Sequence, residues 1–163
     1  MKKALKKVEP INKSVELVDL AVAKFELTAF PWPYADGTVK EIHCFHKLEY
    51  VPAKLRIPVM EEMWRVLEVG GKATIVVCYW TSPRAIQDPA AEWPPFSEQS
   101  FLYFNKGWRE ANQLAVIGCD FDFTYGYQVD GETAARNQEA QGFWIKHYLN
   151  TANDLQLALT KRA

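Results

Sequence analysis

Residues 30–82 read FPWPYADGTVKEIHCFHKLEYVPAKLRIPVMEEMWRVLEVGGKATIVVCYWTS, with strand, helix and strand signals in close succession. Val39–Phe45 is predicted to be a strand, and its apolar positions do not alternate cleanly, as is typical of strands covered on both faces. Pro58–Val69 is predicted to be a helix, because proline suits the first helical position and apolar residues recur at helical spacing. Gly70-Gly71 is expected to end this helix. The apolar, β-branched run Ala73–Tyr79 is typical of a buried central strand, so the stretch predicts a right-handed βαβ unit in a parallel sheet.

The flanking sequence supplies further elements with the same two kinds of periodicity. Alternating or short apolar runs predict four more strands: Ser14–Leu20, Lys24–Leu27, Ile117–Val129 and Asp154–Lys161. Two further helices are expected, from Ser97 to about Asn112 and over Glu132–Asn150. Residues 80–99 contain four prolines and no clear period, so we interpret them as a loop. The sequence therefore predicts a single α/β domain over residues 1–163, with residues 1–13 as a flexible basic tail.

Composition excludes several classes of protein. The formal net charge is −1, so no global charge attracts nucleic acid or anionic lipid. No apolar run reaches the length of a membrane span, and the basic start lacks the apolar segment of a secretory signal. Cys44, Cys78 and Cys119 are an odd number of cysteines and are interpreted as reduced thiols rather than a disulfide framework. We therefore expect a cytoplasmic protein without a membrane partner.

Three pieces of the quoted stretch carry a family resemblance. Phe30–Ile42 resembles the "LPF-DGSFDEI" run before the fourth strand of class I S-adenosylmethionine-dependent methyltransferases. Cys44–Val51 resembles the "S-H-V-LEH-I" segment that follows that strand, and Glu62–Lys72 resembles the family's "E-RVLKPGGK" helix end. The three segments also occur in the same order and at similar spacing as in that family. The resemblance implies a Rossmann-like methyltransferase sheet that is mostly parallel, with an antiparallel C-terminal strand.

The resemblance also implies a cofactor, S-adenosylmethionine, and candidate residues around it. Asp19 matches the acidic residue that holds the cofactor ribose in the family, since a carboxylate can accept from two vicinal hydroxyls. Glu26 and Leu27 resemble the acidic and apolar pair beside the adenine. Cys44 and Phe45 follow from the motif at the end of the fourth strand.

The family's glycine-rich cofactor loop has no counterpart here, because no glycine occurs before Gly37. Only glycine lets the backbone come so close to a ligand. The resemblance therefore implies an N-terminally truncated domain, and the family's central first strand would leave a gap. Either the N-terminal segment fills that gap, or a partner chain does, or the sheet closes up. An exposed edge at this place predicts a homodimer or a partner chain that completes the sheet.

Residues 80–99 resemble the family segment "SSPRA--DPTH-WPP", which lies over the substrate mouth. Loops at the carboxyl ends of parallel strands are where such folds bind ligands. The residues expected at the substrate are Tyr79, Trp80, Arg84, Asp88 and Trp93. No catalytic residue and no methyl acceptor can be named, but methyl transfer mainly requires that the two reactants be aligned.

Other residue patterns have simpler interpretations. His43 and Cys44 point to opposite faces of a strand, so His43-Cys44-x-His46 is not expected to bind a metal. The aromatic-rich second half is more typical of a core of large side chains than of a ligand pocket. Two hypotheses follow: a methyltransferase-like protein whose cofactor binding is weak or assisted by a partner, and a non-catalytic binding or interaction module descended from one.

Overall fold

The computed structural model describes residues 10–163, which form one five-stranded sheet with short helices. The strands are β1 (Val15–Asp19), β2 (Val39–Phe45), β3 (Leu67–Cys78), β4 (Phe121–Val129) and β5 (Ala152–Lys161). Their order in the sheet is β1-β2-β3-β5-β4. β1, β2 and β3 pair in parallel, whereas β5 is antiparallel to both β3 and β4. The predicted mostly parallel sheet with an antiparallel C-terminal strand is confirmed.

Six helices connect these strands. They are α1 (Ala53–Val66), α2 (Pro83–Gln87), α3 (Glu98–Leu102), α4 (Lys106–Ala111), α5 (Gly131–Ala134) and α6 (Gln138–His147), and a 3₁₀ turn covers Leu48–Tyr50. Among the described residues, none of these helices combines the length and the apolar character that a membrane span needs.

The bounds predicted for the central helix are wrong at both ends. α1 begins at Ala53 and contains Pro58 in its interior, although proline removes one helical hydrogen bond there. Burial of four apolar side chains on one face compensates for this loss: Val59, Met60, Met63 and Val66. Gly70 and Gly71 lie inside β3 rather than at a helix end, because the chain becomes extended directly after Val66.

The sheet has one buried face and one half-open face. Val18, Ile42, Ala73 and Leu159 lie in register across four strands, and all four are buried in the core. On the opposite face most side chains are exposed or half-buried, and they include Leu17, His43, Phe45, Thr74 and Ala158, whereas Cys78 and Asp154 at its end are buried. The prediction that β2 is covered on both faces is therefore wrong. Its irregular pattern comes instead from a register shift between Val39 and Glu41, which buries Val39 out of alternation.

β1 lies directly beside β2, from Val15 opposite Val39 to Asp19 opposite His43, so the described residues leave no gap there. This agrees with two of the three alternatives, a gap filled by the N-terminal segment and a sheet that closes up, and β1 rather than a partner chain occupies that place. Lys24–Leu27 is not a strand, because the chain turns repeatedly between β1 and Trp32.

Most of the predicted tail, residues 1–9, lies outside the described residues. The remaining part is anchored, because the backbone N–H of Ile11 donates to Pro33 and the N–H of Ala35 donates to Ile11.

Asparagine side chains break both helices predicted in the second half of the chain. The amide oxygen of Asn105 accepts from Trp108 N–H, so α3 and α4 replace the single helix predicted from Ser97 to Asn112. Asn137 caps α6 in the same way by accepting from Ala140 N–H, which separates α5 from α6. Asparagine competes for backbone donors and so favours the start of a helix over its interior.

Candidate functional site

The carboxyl ends of β1, β2 and β3 lie along one edge of the sheet, because the three strands are parallel. β2 is followed at once by His46, whose backbone φ of +50° lies in the left-handed region. This uncommon conformation turns the chain out of the strand, while His46 N–H still donates to Val76 in β3. β3 ends at Cys78, so a histidine and a cysteine from neighbouring strands come together there.

Glu49, in the 3₁₀ turn after β2, completes this cluster. Its side chain is buried, and its Oε1 accepts from Cys78 N–H at 2.8 Å. The same oxygen lies 3.1 Å from His46 Nδ1, and His46 Nδ1 lies 3.8 Å from Cys78 Sγ. Glu49 Oε2 is buried and has no hydrogen-bond partner. Burial, and secondarily the Glu49 carboxylate, raises the pKa of the Cys78 thiol to about 11.

A cavity of about 350 Å³ adjoins this cluster. It is lined by His46, Tyr50, Cys78, Pro83, Arg84, Gln87 and Asp88. Two residues expected at the substrate, Arg84 and Asp88, are therefore brought together there, and each already has a partner. Arg84 donates to buried Asp154 at 3.2 Å, and Asp88 accepts from the Tyr50 hydroxyl at 2.9 Å. Hydrogen bonds from Ala90 N–H and from Tyr50 lower the pKa of Asp88.

A second cavity, of about 530 Å³, contains the other pair of expected substrate residues, Tyr79 and Trp80. Tyr127 of β4 also lines it, with its ring centroid 5.1 Å from that of Tyr79. The Tyr79 hydroxyl donates to Glu98 at 3.2 Å, and burial raises the pKa of both tyrosines. Trp93 lines neither cavity and is 74% exposed, so the five expected substrate residues do not form one site.

The residues expected at the cofactor are also dispersed. Cys44 has no exposed surface, and burial raises the pKa of its thiol to about 12; it is a core residue and cannot contact a cofactor here, which corrects that expectation. Glu26 is exposed and accepts from the Thr28 hydroxyl, while Leu27 packs against the core and accepts from Trp32 Nε1 through its carbonyl. Neither lines a cavity, because the segment that carries them is a series of turns and not a strand.

Asp19 and Phe45 remain together at the half-open face. Asp19 is the last residue of β1 and pairs with His43, whose ring stacks on Phe45 with centroids 5.1 Å apart. Asp19 Oδ1 accepts a hydrogen bond from Ala21 N–H. Phe45 is 38% exposed. Asp19, His43 and Phe45 are called the strand-end shelf below.

Several residues of these sites were missed from the sequence. Glu49, Tyr50, Glu98 and Tyr127 had no predicted role, and Cys78 was interpreted only as a reduced thiol. Cys78 and His46 could have been associated, because each stands at the carboxyl end of one of two neighbouring parallel strands. Glu49 could not, since only the 3₁₀ turn directs its side chain back towards both.

No family model matches the sequence, and no curated protein matches it either. Solved structures do resemble the chain in fold. A SAM-dependent methyltransferase from Archaeoglobus fulgidus superposes with a TM-score of 0.51 at 11% identity, over 77% of this chain and 61% of that chain. A chain of a Haloferax volcanii complex between a methyltransferase activator and a methyltransferase gives 0.53 at 14% identity, over 85% of this chain and 60% of that one.

A geranyl diphosphate methyltransferase in complex with GPP and sinefungin gives a TM-score of 0.50 at 17% identity, over 83% of this chain and 51% of that chain. The chain thus spans between half and three fifths of the length of these three proteins. At such identities the likeness concerns the fold and not the activity. The protein therefore has the α/β fold of class I S-adenosylmethionine-dependent methyltransferases.

Proposed function

We propose that the protein is an S-adenosylmethionine-dependent methyltransferase that binds the adenosine part of the cofactor on the strand-end shelf. The observation that supports this most is the position of Asp19, His43 and Phe45 at the carboxyl ends of two parallel strands in a methyltransferase-like sheet. Ligands of open α/β sheets bind at this edge.

The chemistry of the shelf suits an adenosine. Asp19 uses one carboxylate oxygen for Ala21 N–H, which leaves the other to accept from ribose hydroxyls. The half-exposed Phe45 ring, backed by His43, offers an aromatic surface for the adenine. The methionine end has no glycine-rich loop to receive it, so we expect binding to be weak unless another chain or a further segment contributes.

Bound S-adenosylmethionine supplies a methyl group on an activated sulfonium, so the protein needs only to align the acceptor with it. The second cavity is suited to an acceptor with an aromatic or apolar body, because Tyr79, Trp80 and Tyr127 line it. Glu98 and Lys146 at its wall can orient polar groups.

One observation favours the alternative function, a non-catalytic interaction module. The half-open sheet face exposes large apolar side chains, among them Leu17 and Phe45, next to β1, which is an edge strand of the sheet formed by residues 10–163. A partner chain or a second copy could pair with β1 and cover this face. On this alternative the protein keeps the fold for binding a protein and has lost the cofactor.

Calorimetric titration with S-adenosylmethionine and S-adenosylhomocysteine tests the proposal. We expect both to bind, and we expect Asp19→Asn to weaken binding about tenfold or more, as a lost hydrogen bond to a charged group does. Asn keeps the oxygen that accepts from Ala21, so the turn is preserved. Glu16→Gln is the matched control, since Glu16 lies on the same strand and pairs only with exposed Lys40.

Folded protein that gives no heat at millimolar ligand refutes the proposal. The same titrations followed by light scattering distinguish the alternative, which requires a dimer or a partner complex in the absence of cofactor.

A further inference from the structure

Three side chains of different chemistry converge where β2 and β3 end. His46 Nδ1 lies 3.1 Å from Glu49 Oε1 and 3.8 Å from Cys78 Sγ. One donor atom from each residue lies within 4.8 Å of the others. A tetrahedral zinc ion with ordinary Zn–N and Zn–S bond lengths separates a nitrogen and a sulfur ligand by about 3.6 Å, close to the separation found here.

Hydrogen bonding among these residues leaves one feature unexplained. Glu49 is 7% exposed, and its Oε1 is satisfied by Cys78 N–H and by the His46 ring. Its Oε2 is buried without any partner. A buried carboxylate oxygen without a donor is costly, and a bound cation would remove that cost.

The surroundings leave room for the ion and for a further ligand. His46 and Cys78 both face the cavity of about 350 Å³, which also contains Tyr50 and Asp88. Arg84, which lines the same cavity, is paired with Asp154. A cation at the cluster would thus meet two potential negative charges, from Glu49 and the Cys78 thiolate.

We propose that His46, Glu49 and Cys78 bind a zinc ion whose fourth position opens into this cavity. A sulfur, an imidazole nitrogen and a carboxylate form a donor set that zinc accepts, whereas magnesium and calcium prefer oxygen alone. Three protein ligands and one open position are typical of zinc sites that bind a water or a substrate. His46, whose backbone is in the left-handed region, lines this cavity together with Cys78.

Cobalt(II) is the probe, because a cobalt–thiolate bond gives a charge-transfer absorption band in the near ultraviolet. Full-length protein is titrated with cobalt under reducing conditions, and zinc affinity is then measured by competition with a chromophoric chelator. We expect one equivalent of cobalt to bind with the charge-transfer band, and zinc to displace it.

Variants identify the ligands. Cys78→Ser is expected to abolish the band, and Glu49→Gln and His46→Asn to weaken zinc binding about tenfold or more. Asparagine tolerates positive φ, so His46→Asn preserves the local backbone and carries the test if Cys78→Ser fails to fold. The controls are Cys119→Ala and His147→Asn, a buried thiol and an exposed imidazole outside the cluster, which should leave zinc affinity unchanged.

Wild-type protein that shows no charge-transfer band while folded by circular dichroism overturns the proposal. So does a zinc affinity that is the same in His46→Asn as in wild type, or a band that is lost with Cys119 rather than with Cys78.

Discussion

Replacement of Glu62 should destabilise the protein strongly, because this carboxylate joins α1 to the loop before β2. Glu62 is 8% exposed and accepts three hydrogen bonds. They come from Trp32 N–H at 2.5 Å, from Arg65 Nη2 at 2.6 Å and from Arg65 Nε at 2.9 Å. Arg65 also donates to Asp36, so the same network reaches the turn at the start of β2.

The expected magnitude follows from these contacts. In Glu62→Gln the amide oxygen can keep Trp32 N–H and Arg65 Nη2, but the amide nitrogen faces Arg65 Nε, and both are donors. One charge-assisted hydrogen bond is lost and two become weaker, and each such bond contributes about 1.5–3 kcal/mol. We expect Glu62→Gln to lower the free energy of unfolding by about 2–3 kcal/mol. Glu62→Ala should cost about 3–5 kcal/mol, since it leaves a buried N–H and a partly buried guanidinium without this partner.

Urea unfolding, followed by tryptophan fluorescence and far-ultraviolet circular dichroism, measures the free energy of unfolding. The variants can be compared with wild type if the dependence of this free energy on urea concentration is unchanged. Glu16→Gln is the control, because it makes the same chemical change in an exposed pair with Lys40 and should leave the free energy of unfolding close to that of wild type. If Glu62→Gln lies within error of this control, the network does not hold the loop to the helix and the reasoning fails.

Two further predictions concern β3 and the core of β2. An added Cβ at Gly71 would lie 2.8 Å from the Glu68 carbonyl oxygen and 3.0 Å from that of Lys40, so Gly71→Ala should cost about 2–3 kcal/mol. An added Cβ at Gly70 meets no atom within 4 Å, so Gly70→Ala should cost only the roughly 1 kcal/mol that alanine needs to adopt a φ of +81°. Equal urea midpoints for Gly71→Ala and Gly70→Ala would contradict this explanation. Burial raises the pKa of the Cys44 thiol from 9.0 in the unfolded chain to about 12 in the folded protein. The stability that this shift contributes is therefore fully present below pH 9 and is lost as the pH rises towards 12, because the unfolded chain loses its proton first. Cys44→Ala should therefore lessen the fall in unfolding free energy between pH 9 and 11 by about 1 kcal/mol per pH unit, and parallel profiles in reducing buffer would refute the assignment.

The fold was predictable because its strongest signals are local and consecutive. The apolar run of β3 and the alternation in β5 are periodic patterns that burial imposes directly on the sequence. The bounds of α1 were not predictable from the proline and glycine residues that commonly mark helix ends. Pro58 and Gly70 both have the chemistry of helix ends, yet side-chain burial outweighs one lost hydrogen bond at Pro58. Gly70 lies in the irregular part of β3, between Leu67 and Lys72, which both pair with β2.

The candidate sites were harder to predict, because their residues meet only through the register of the strands. Asp19 and Phe45 were named from the motif, and pairing of β1 with β2 brings them to one face. Cys44, one position before Phe45, points to the other face and into the core. Alternation along a strand already places Cys44 and Phe45 on opposite faces, but the motif does not say which of the two faces is buried.

The position of β5 has a consequence for biosynthesis. β5 follows β4 along the chain, yet it lies between β3 and β4 in the sheet and makes hydrogen bonds to both over most of its length. Lys161 Nζ reaches back to the carbonyl of Leu67, where α1 meets β3. During translation β4 has no neighbour to pair with until β5 has left the ribosome. The sheet therefore closes only after synthesis has passed residue 161, and the nascent chain carries unpaired strand edges until then.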